Sequence, residues 1–538
     1  MYNSPLTLKE LKKVINSKTN SAPGEDALSY AIFKHLPDRP LEVVLDLFNN
    51  IWSSGDIPKR FKHAIVVPLL KPQKEPQKPE SYRPIALTDH IGKILESMIN
   101  NRLNYILEEK KIISQEQSGF RNKRQCLDQL ARLVSEVNKC RKQNKQTAAI
   151  FLDLEKAYDQ LWRGGVLEEL KKAGISGQLF NYVRDFLQDR SFQVRVDDVL
   201  SDTYTQDNGV PQGSVISPTI FNLVLNRVTK SISNRYKQID LGNYADDTAL
   251  WVKANSAPRR LFHNKKKKNS ILACRRVTLT LEPIVNQLTS KLESTGFKVN
   301  VTKTKFMLFD TNHKGKIKIN GENITSSDTI DYLGMTIDKK LTFKQHIKKL
   351  KMRGEKALRV LSYMSGKSWG LKAKHRKLLY LCFVLPKCTY GEEIFSQAPN
   401  SYLKELDIIQ CKALRIISNN LKKTNIDILH VINQVDPLTI RRLKKQINLL
   451  TRFKRNKNNP AGNIYSKVSP AFSQKFNSIG YNKKNFIDMT LKHMEINNLS
   501  GDMIAFYPKP IPLWTLEEIS VDISLANVID KKAQTKNK

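Results

Sequence analysis

Apolar residues along the chain fall into two kinds of run. In "PLTLKELKKVINS", residues 5–17, Leu8, Leu11, Val14 and Ile15 recur at helical spacing, and "SAPGED" then breaks the pattern. Helical segments continue to about Trp52. From Phe61 to Leu70 the run "FKHAIVVPLL" is apolar and β-branched, so it predicts a strand, and a second strand is expected past the basic, proline-rich "KPQKEPQKPESYRPIAL". "HIGKILESMINNRLNYILEE" repeats apolar residues at i, i+3 and i+4, the mark of an amphipathic helix. In "TAAIFLDLEKAYDQLW", residues 147–162, an apolar strand is expected to turn helical after Asp153, which leaves an acid where the strand ends.

Further on, "DNGVPQGSVISPTIFNLVLNRVTKSI" reads as a Gly/Pro loop feeding a helix, with Ser217 as N-cap and Pro218 at the first helical position. "LGNYADDTALWV" predicts two short strands joined by a tight turn at Ala245, Asp246 and Asp247. Helical spacing resumes at Leu281, Ile284, Val285, Leu288 and Leu292. Beyond Lys340 the pattern is mostly helical and basic, as in "KQHIKKLKMRGEKALRVL". The run "KKKK" at 265–268 and the terminal "KKAQTKNK" read as loops or tails.

Composition narrows the class of partner. The chain has 538 residues, 40% of them hydrophobic, enough for a folded core and about 2 to 4 domain-sized units. Lys plus Arg number 90 against 51 Asp plus Glu, a net charge of +39, which implies a polyanionic partner and favours nucleic acid over membrane. No run reaches the roughly 18 apolar residues of a membrane span, and the N-terminus lacks the apolar core of a signal peptide. An intracellular protein, nuclear or cytoplasmic, is expected. The six cysteines form no CxxC pair, so reduced, mostly buried thiols are expected.

Asp153 and Asp246 lie 93 positions apart, yet both are predicted at strand ends of one sheet, with Asp247 as a third acid. Crowded carboxylates raise each other's pKa unless a cation offsets them, and a hard divalent ion held by a few carboxylates and substrate phosphates is the usual solution. Two Mg²⁺ ions in such a site serve nucleotidyl transfer. Taken alone, "DD" reads as a pair of ordinary turn residues, and only the segments around it change that.

Several ordered segments bring a family into view. "FLDLEKAYDQLW", "GVPQGSVISP" and "YADD", in that order, resemble the reverse transcriptases of non-LTR retrotransposons, particularly the jockey-like group. "SAPGEDALSYAIFKHLP", "SYRPIALTDHIGKILESMI" and "EQSGFRNKRQCLDQL" resemble the family's fingers segments, and "GFKVNVTKTKFMLF" and "YLGMTID" its late palm segments. The resemblance is good over residues 5 to about 340 and extends to about 418. It implies an α+β right-hand polymerase: fingers to about 145, a palm with an antiparallel sheet carrying the acids to about 340, and a mostly helical thumb. In domain terms these are an N-terminal helical extension (1–50), a reverse transcriptase domain (51–338), a helical thumb (339–450) and a basic C-terminal region (451–538) without a definite assignment.

Residue by residue, the resemblance implies Asp153, Asp246 and Asp247 as catalytic, metal-binding acids, with two Mg²⁺ ions for which Mn²⁺ substitutes. It implies Tyr158 as the aromatic under the nucleotide sugar that excludes a 2′-hydroxyl; a core aromatic on the helix after the strand is the alternative. Gln212 and Gly213 match the loop that contacts the incoming nucleotide and template, against a plain turn into a helix. Arg83 matches a fingers arginine that clamps the triphosphate. Lys71 assists there or is a solvated loop lysine, with Lys62, Lys74 and Lys78 as competitors. Lys303 matches the late palm lysine near the leaving pyrophosphate, with Lys305 as its rival. The implied partners are template RNA, a DNA primer or target and dNTPs, with no membrane. Trp369 and Tyr380 are expected to pack in the helical core, with base stacking as the alternative.

The chain departs from the family pattern in three places. Only 22 residues precede "PGED", too few for the endonuclease such proteins usually carry, so endonuclease activity is expected outside this chain and truncation of a longer reading frame is the preferred explanation. No "TDGS"-like segment marks a ribonuclease H domain. Residues 255–281 read as a basic insertion or a frameshift scar. The function implied is RNA-directed DNA polymerase; a catalytically inactive nucleic-acid-binding remnant and an RNA-templated RNA polymerase are the alternatives, the last disfavoured by Tyr158.

Overall fold

The computed structural model describes residues 2–72, 74–143, 145–253, 266–366, 369–456 and 459–462. They divide into two compact units, one from 2–112 and 162–220, the other from 113–161 and 221–462. Both mix helix and sheet.

In the first unit, Thr7 opens the helix Leu8–Ser17 through a capping box: the Glu10 N–H donates to Thr7 Oγ1 at 3.3 Å and the Thr7 N–H to Glu10 Oε2 at 3.0 Å. Glu10 also receives the fully buried Arg102 guanidinium at 2.7 and 2.9 Å, so a charge pair ties this helix to the long helix His90–Glu109. The strand His63–Leu70 pairs antiparallel with Tyr82–Leu87, from Ile65 opposite Leu87 to Leu70 opposite Tyr82. On its other side it runs parallel to Ser191–Val196.

The second unit is built on a four-stranded antiparallel sheet in the order Lys305–Leu308, Thr147–Leu152, Asp247–Lys253, Ile239–Tyr244. Every residue of Thr147–Leu152 is buried, which is why it reads as an unbroken apolar run rather than an alternation. Ala149 and Phe151 join Ala249 and Trp251 in packing against Leu130, Leu133, Val134 and Val137 of the helix Cys126–Lys142. The helix Lys266–Glu293 packs on the same two strands. The core continues without a break into the helical region, where Lys344–Tyr363 packs against Asn400–Ser418 and the helix Leu438–Arg455 adds Leu449, Leu450 and Phe453.

Four local expectations are corrected. No helix follows Asp153: Leu154–Glu155 pairs with Lys298–Val299, residues 156–160 form turns with Lys156 at φ +42°, and the next helix starts at Arg163. Ser217 is the first helical residue rather than a cap, and its buried hydroxyl finds no hydrogen-bond partner among the described residues. The helix resumes well before Leu281, starting at Lys266, so Lys266–Lys268 of the lysine run are helical; Lys265 and residues 254–264 lie outside the described residues, as do residues 463–538 with the terminal "KKAQTKNK". Trp369 is 58% exposed instead of packed in the core, whereas Tyr380 is buried.

All six cysteines are free thiols and four are buried; burial pushes Cys388 up to about 12. Among the described residues, no helix is long and apolar enough to cross a membrane.

Candidate active site

Sheet register brings the acids together. Leu152 stands opposite Thr248, so the strand that leads to Asp153 ends beside the start of the strand that carries Asp247. Tyr244 pairs with Asp247, which leaves Ala245 and Asp246 as a two-residue hairpin turn. Ala245 adopts φ +58°, the left-handed region that such turns demand and that a Cβ disfavours.

The three carboxylates feel one another. Asp247 keeps contact with solvent, but partial loss of hydration, then the charges of Asp246 and Asp153, push its carboxyl up to about 6. Lys303 offsets some of this charge: its Nζ lies 3.3 Å from Asp153 Oδ2. The turn that carries Lys303 is tied to the backbone of Asp153. The Asn300 N–H donates to the Asp153 carbonyl at 2.8 Å, and Asn300 Oδ1 accepts the Lys303 N–H at 3.1 Å. Nothing in the pattern of the sequence singles out Asn300; its one signal is an Asn three positions before the lysine, a spacing that suits a side-chain-closed turn. Lys305 lies instead in the neighbouring strand, opposite Phe151.

Tyr158 sits in the turn after Asp153, its ring stacked on Phe221 at 5.2 Å and 15°, with Phe297 edge-on to Phe221 at 5.4 Å. Burial and then the nearby Asp246 charge raise its hydroxyl pKa, so it stays protonated.

Among the described residues no group of three or more His, Cys, Asp or Glu side chains is drawn tightly enough to cage a metal ion. The acids are electrostatically coupled. Their chemistry nonetheless suits a hard divalent cation, since all donors are carboxylate oxygens and their mutual repulsion is what a cation relieves.

The other candidates belong to the first unit. Gln212 accepts the Ala86 N–H through its carbonyl at 2.8 Å, which lays the loop against the strand Tyr82–Leu87. Gly213, at φ +139°, lies so close that a Cβ there would collide with the Ala86 carbonyl. Buried Glu96 pins the same loop, taking Ser214 Oγ at 2.5 Å and the Val215 N–H at 2.8 Å. Arg83 is exposed on that strand, opposite Leu69. Lys71 ends the preceding strand region with its Nζ on the Glu80 carbonyl at 2.8 Å. Of its competitors, Lys62 is buried against Asp185 at 3.0 Å and Lys78 pairs with Glu75 at 2.8 Å. The structure thus groups Asp153, Asp246, Asp247, Tyr158 and Lys303 in one unit and Lys71, Arg83, Gln212 and Gly213 in the other.

Comparison with known proteins supplies the context. Residues 71–337 match the family described as reverse transcriptase (RNA-dependent DNA polymerase). The RNA-directed DNA polymerase from mobile element jockey of Drosophila melanogaster is 30% identical over 77% of this chain and 44% of its own length. Its counterpart from Drosophila funebris is 28% identical over the same shares. The probable RNA-directed DNA polymerase from transposon BS of Drosophila melanogaster is 28% identical over 77% of this chain and 45% of its own. The chain therefore spans less than half the length of these curated relatives. Apo telomerase from Candida tropicalis is similar at 12% identity and a TM-score of 0.39, over 84% of this chain and 72% of that one, a likeness too loose to fix the architecture. A domain of the matched family implies divalent-metal dependence in general. Residues 71–337 are thus a reverse transcriptase domain, and the chain around them is similar to the polymerases of jockey-like non-LTR retrotransposons.

Proposed function

We propose that the protein is an RNA-directed DNA polymerase that extends a DNA 3′-hydroxyl on an RNA template with dNTPs. One observation carries the reading: Asp153 and the Asp246–Asp247 hairpin end adjacent strands of one sheet, with a lysine already beside the first acid.

Asp153, Asp246 and Asp247 would hold the ions, and Mg²⁺ fits their oxygen donors. Bound there, two such ions lower the pKa of the attacking 3′-hydroxyl and stabilise the leaving pyrophosphate. The chain's own residues do the rest. Asp247 stays ionised to the extent that cations offset the charges of Asp246 and Asp153 around it. Lys303, beside Asp153, supplies positive charge as the pyrophosphate leaves. The Tyr158 ring, braced by Phe221, sets the floor under the sugar and excludes a 2′-hydroxyl. Arg83 and Lys71 would bind the triphosphate, Arg83 as a planar fork and Lys71 as a point charge. Gln212 and Gly213 would offer backbone to the nucleotide and template. In architecture the reading is a right hand: the acid-bearing sheet as palm, the strands around Arg83 as fingers, and the helices beyond residue 340 as a thumb whose lysines grip phosphates without reading sequence. The net charge of +39 supports template RNA and a DNA primer as partners.

The test is extension of a DNA primer on an RNA template with Mg²⁺ and dNTPs by the wild type and by Asp246→Ala. Extension by the wild type alone is expected; activity that survives in the variant overturns the site. A second reading is a binding remnant without catalysis, for which the net charge of +39 alone would suffice. That reading expects salt-dependent RNA binding with no incorporation.

A further inference from the structure

The acid-bearing turn is held from behind by one buried side chain that no part of the proposed chemistry uses. Gln117 is 2% exposed. Its Oε1 accepts the Ala245 N–H at 3.2 Å and the Gly119 N–H at 2.8 Å, and its Nε2 donates to the Ala245 carbonyl at 3.3 Å. A single carboxamide therefore takes both backbone polar groups of Ala245. That residue is the one at φ +58°, it has no side chain able to anchor itself, and it immediately precedes Asp246.

The bracket is itself anchored. Gly119 lies so near the turn that a Cβ there would collide with the Ala245 nitrogen. The Ser118 N–H donates to the Asn243 carbonyl at 2.8 Å and the Asn243 N–H to the Glu116 carbonyl at 3.0 Å, so residues 116–118 lie along the edge of the strand that enters the turn. From the helix Cys126–Lys142, the fully buried Gln129 donates through Nε2 to Ser118 Oγ and to the Glu116 carbonyl, each at 2.7 Å. Arg132, one turn on, donates to Gln129 Oε1 and to the Leu241 carbonyl, both at 2.8 Å. Asn222 Nδ2 fixes the Gly119 carbonyl at 2.8 Å.

We propose that Gln117 is a positioning residue: by bracketing both backbone groups of Ala245 it keeps that residue in the left-handed region and so aims the Asp246 carboxylate. This rests on Asp246 being a reacting-site acid. Buried amides that lose their partners carry a large penalty, so the carboxamide and the turn select each other's geometry. A left-handed Ala released from the bracket relaxes toward ordinary β or α values, which swings the next side chain. Displacement of a reacting group by about 1 Å costs about 10²-fold in rate.

The experiment compares Gln117→Met, which keeps length and volume but makes no hydrogen bonds, with Gln117→Glu, which keeps the acceptor and loses the donor. Single-nucleotide incorporation is expected to show kcat lowered about 10²-fold in Q117M, with KM for dNTP and affinity for the RNA template unchanged. Hydrogen–deuterium exchange is expected to accelerate in peptides spanning residues 243–250 of Q117M beyond the general rise that accompanies the lower Tm caused by the lost buried hydrogen bonds, and Q117E is expected to restore part of the protection. Wild-type kcat in Q117M overturns the proposal. So does a loss of protection spread through the whole unit in step with Tm, which marks a merely structural residue. If the wild type itself extends no primer, the polymerase reading fails, and the exchange measurement still decides the bracket: unchanged exchange at the turn in Q117M refutes it.

Discussion

Lys303 Nζ lies 3.3 Å from Asp153 Oδ2, in a loop whose Asn300 is hydrogen-bonded to the backbone of Asp153 itself. The cation and the acid are thus parts of one local construction, although 150 residues separate them in sequence. If this ammonium meets developing pyrophosphate charge, Lys303→Ala lowers kcat by about 10²-fold, the scale of losing one preorganised electrostatic donor, whereas Lys303→Arg retains most of the rate. Rapid-quench primer extension reads the difference, and a wild-type rate in K303A removes Lys303 from the chemistry.

Asp247 makes a prediction about stability rather than rate. Its carboxyl is pushed up to about 6 in the folded chain from an ordinary value of 3.8. The folded state therefore binds this proton more tightly than the unfolded state does. The resulting stabilisation is complete below 3.8 and is lost as pH rises through about 6. Above that, the ionised group disfavours folding of the metal-free protein. Asp247→Asn removes the repulsion, so in EDTA its Tm exceeds that of the wild type at pH 8 and the gap closes toward pH 4. Mg²⁺ raises the wild-type Tm more than the variant's. Thermal unfolding with and without chelator checks both, and a variant less stable than wild type at pH 8 contradicts the coupling.

How much of this was legible beforehand varied with the physics involved. The apolar run before Asp153 and the alternation around "NYADDTALWV" are local signals, and both became strands within a residue or two of their expected ends. The helix expected after Asp153 failed because Leu154 and Glu155 pair with Lys298 and Val299, a contact across more than 140 residues that no window of sequence contains. Trp369 was assigned to the core by residue type, yet burial depends on which face the surrounding loop presents. In the candidate site the residue types of the acids were enough to raise the question. The left-handed Ala245 and the Gln117 that brackets it were not legible, since alanine carries no signal for positive φ and a buried glutamine looks like any polar residue in a loop.

Tyr158 offers a test of discrimination. Its ring stacks on Phe221, which is in turn braced by Phe297, so the surface under the proposed sugar site is rigid and apolar. Tyr158→Ala is expected to admit ribonucleotides and to cut the preference for dNTPs by about 10- to 200-fold, the range available to a steric pocket. Tyr158→Phe keeps the preference, because the ring rather than the protonated hydroxyl does the excluding. Paired kcat/KM values for dNTP and NTP measure it. Equal discrimination in Y158A returns this residue to a packing role.

The exposure of Trp369 points to nucleic acid. Tyr363, at the end of the helix Lys344–Tyr363, is 75% exposed and meets Trp369 edge to face at 5.7 Å. One and two turns back on the same side, Arg359 and Lys356 are exposed, while Leu350, Ala357 and Leu361 face the core. Aromatic surface next to basic side chains suits a single strand, whose bases stack while its phosphates are neutralised. Replacing both Tyr363 and Trp369 by Ala is expected to weaken binding of single-stranded RNA by about 5- to 150-fold, equivalent to about 1–3 kcal/mol for one stacked base, without changing the salt dependence. Replacing Lys356 and Arg359 by Ala should instead flatten the plot of log affinity against log salt by about 1.4 for two lost phosphate contacts. Since all four side chains are exposed, Tm should scarcely move. Fluorescence anisotropy across a salt series separates the two effects; the same affinity in wild type and the aromatic double variant would leave the Tyr363–Trp369 pair with no part in binding RNA.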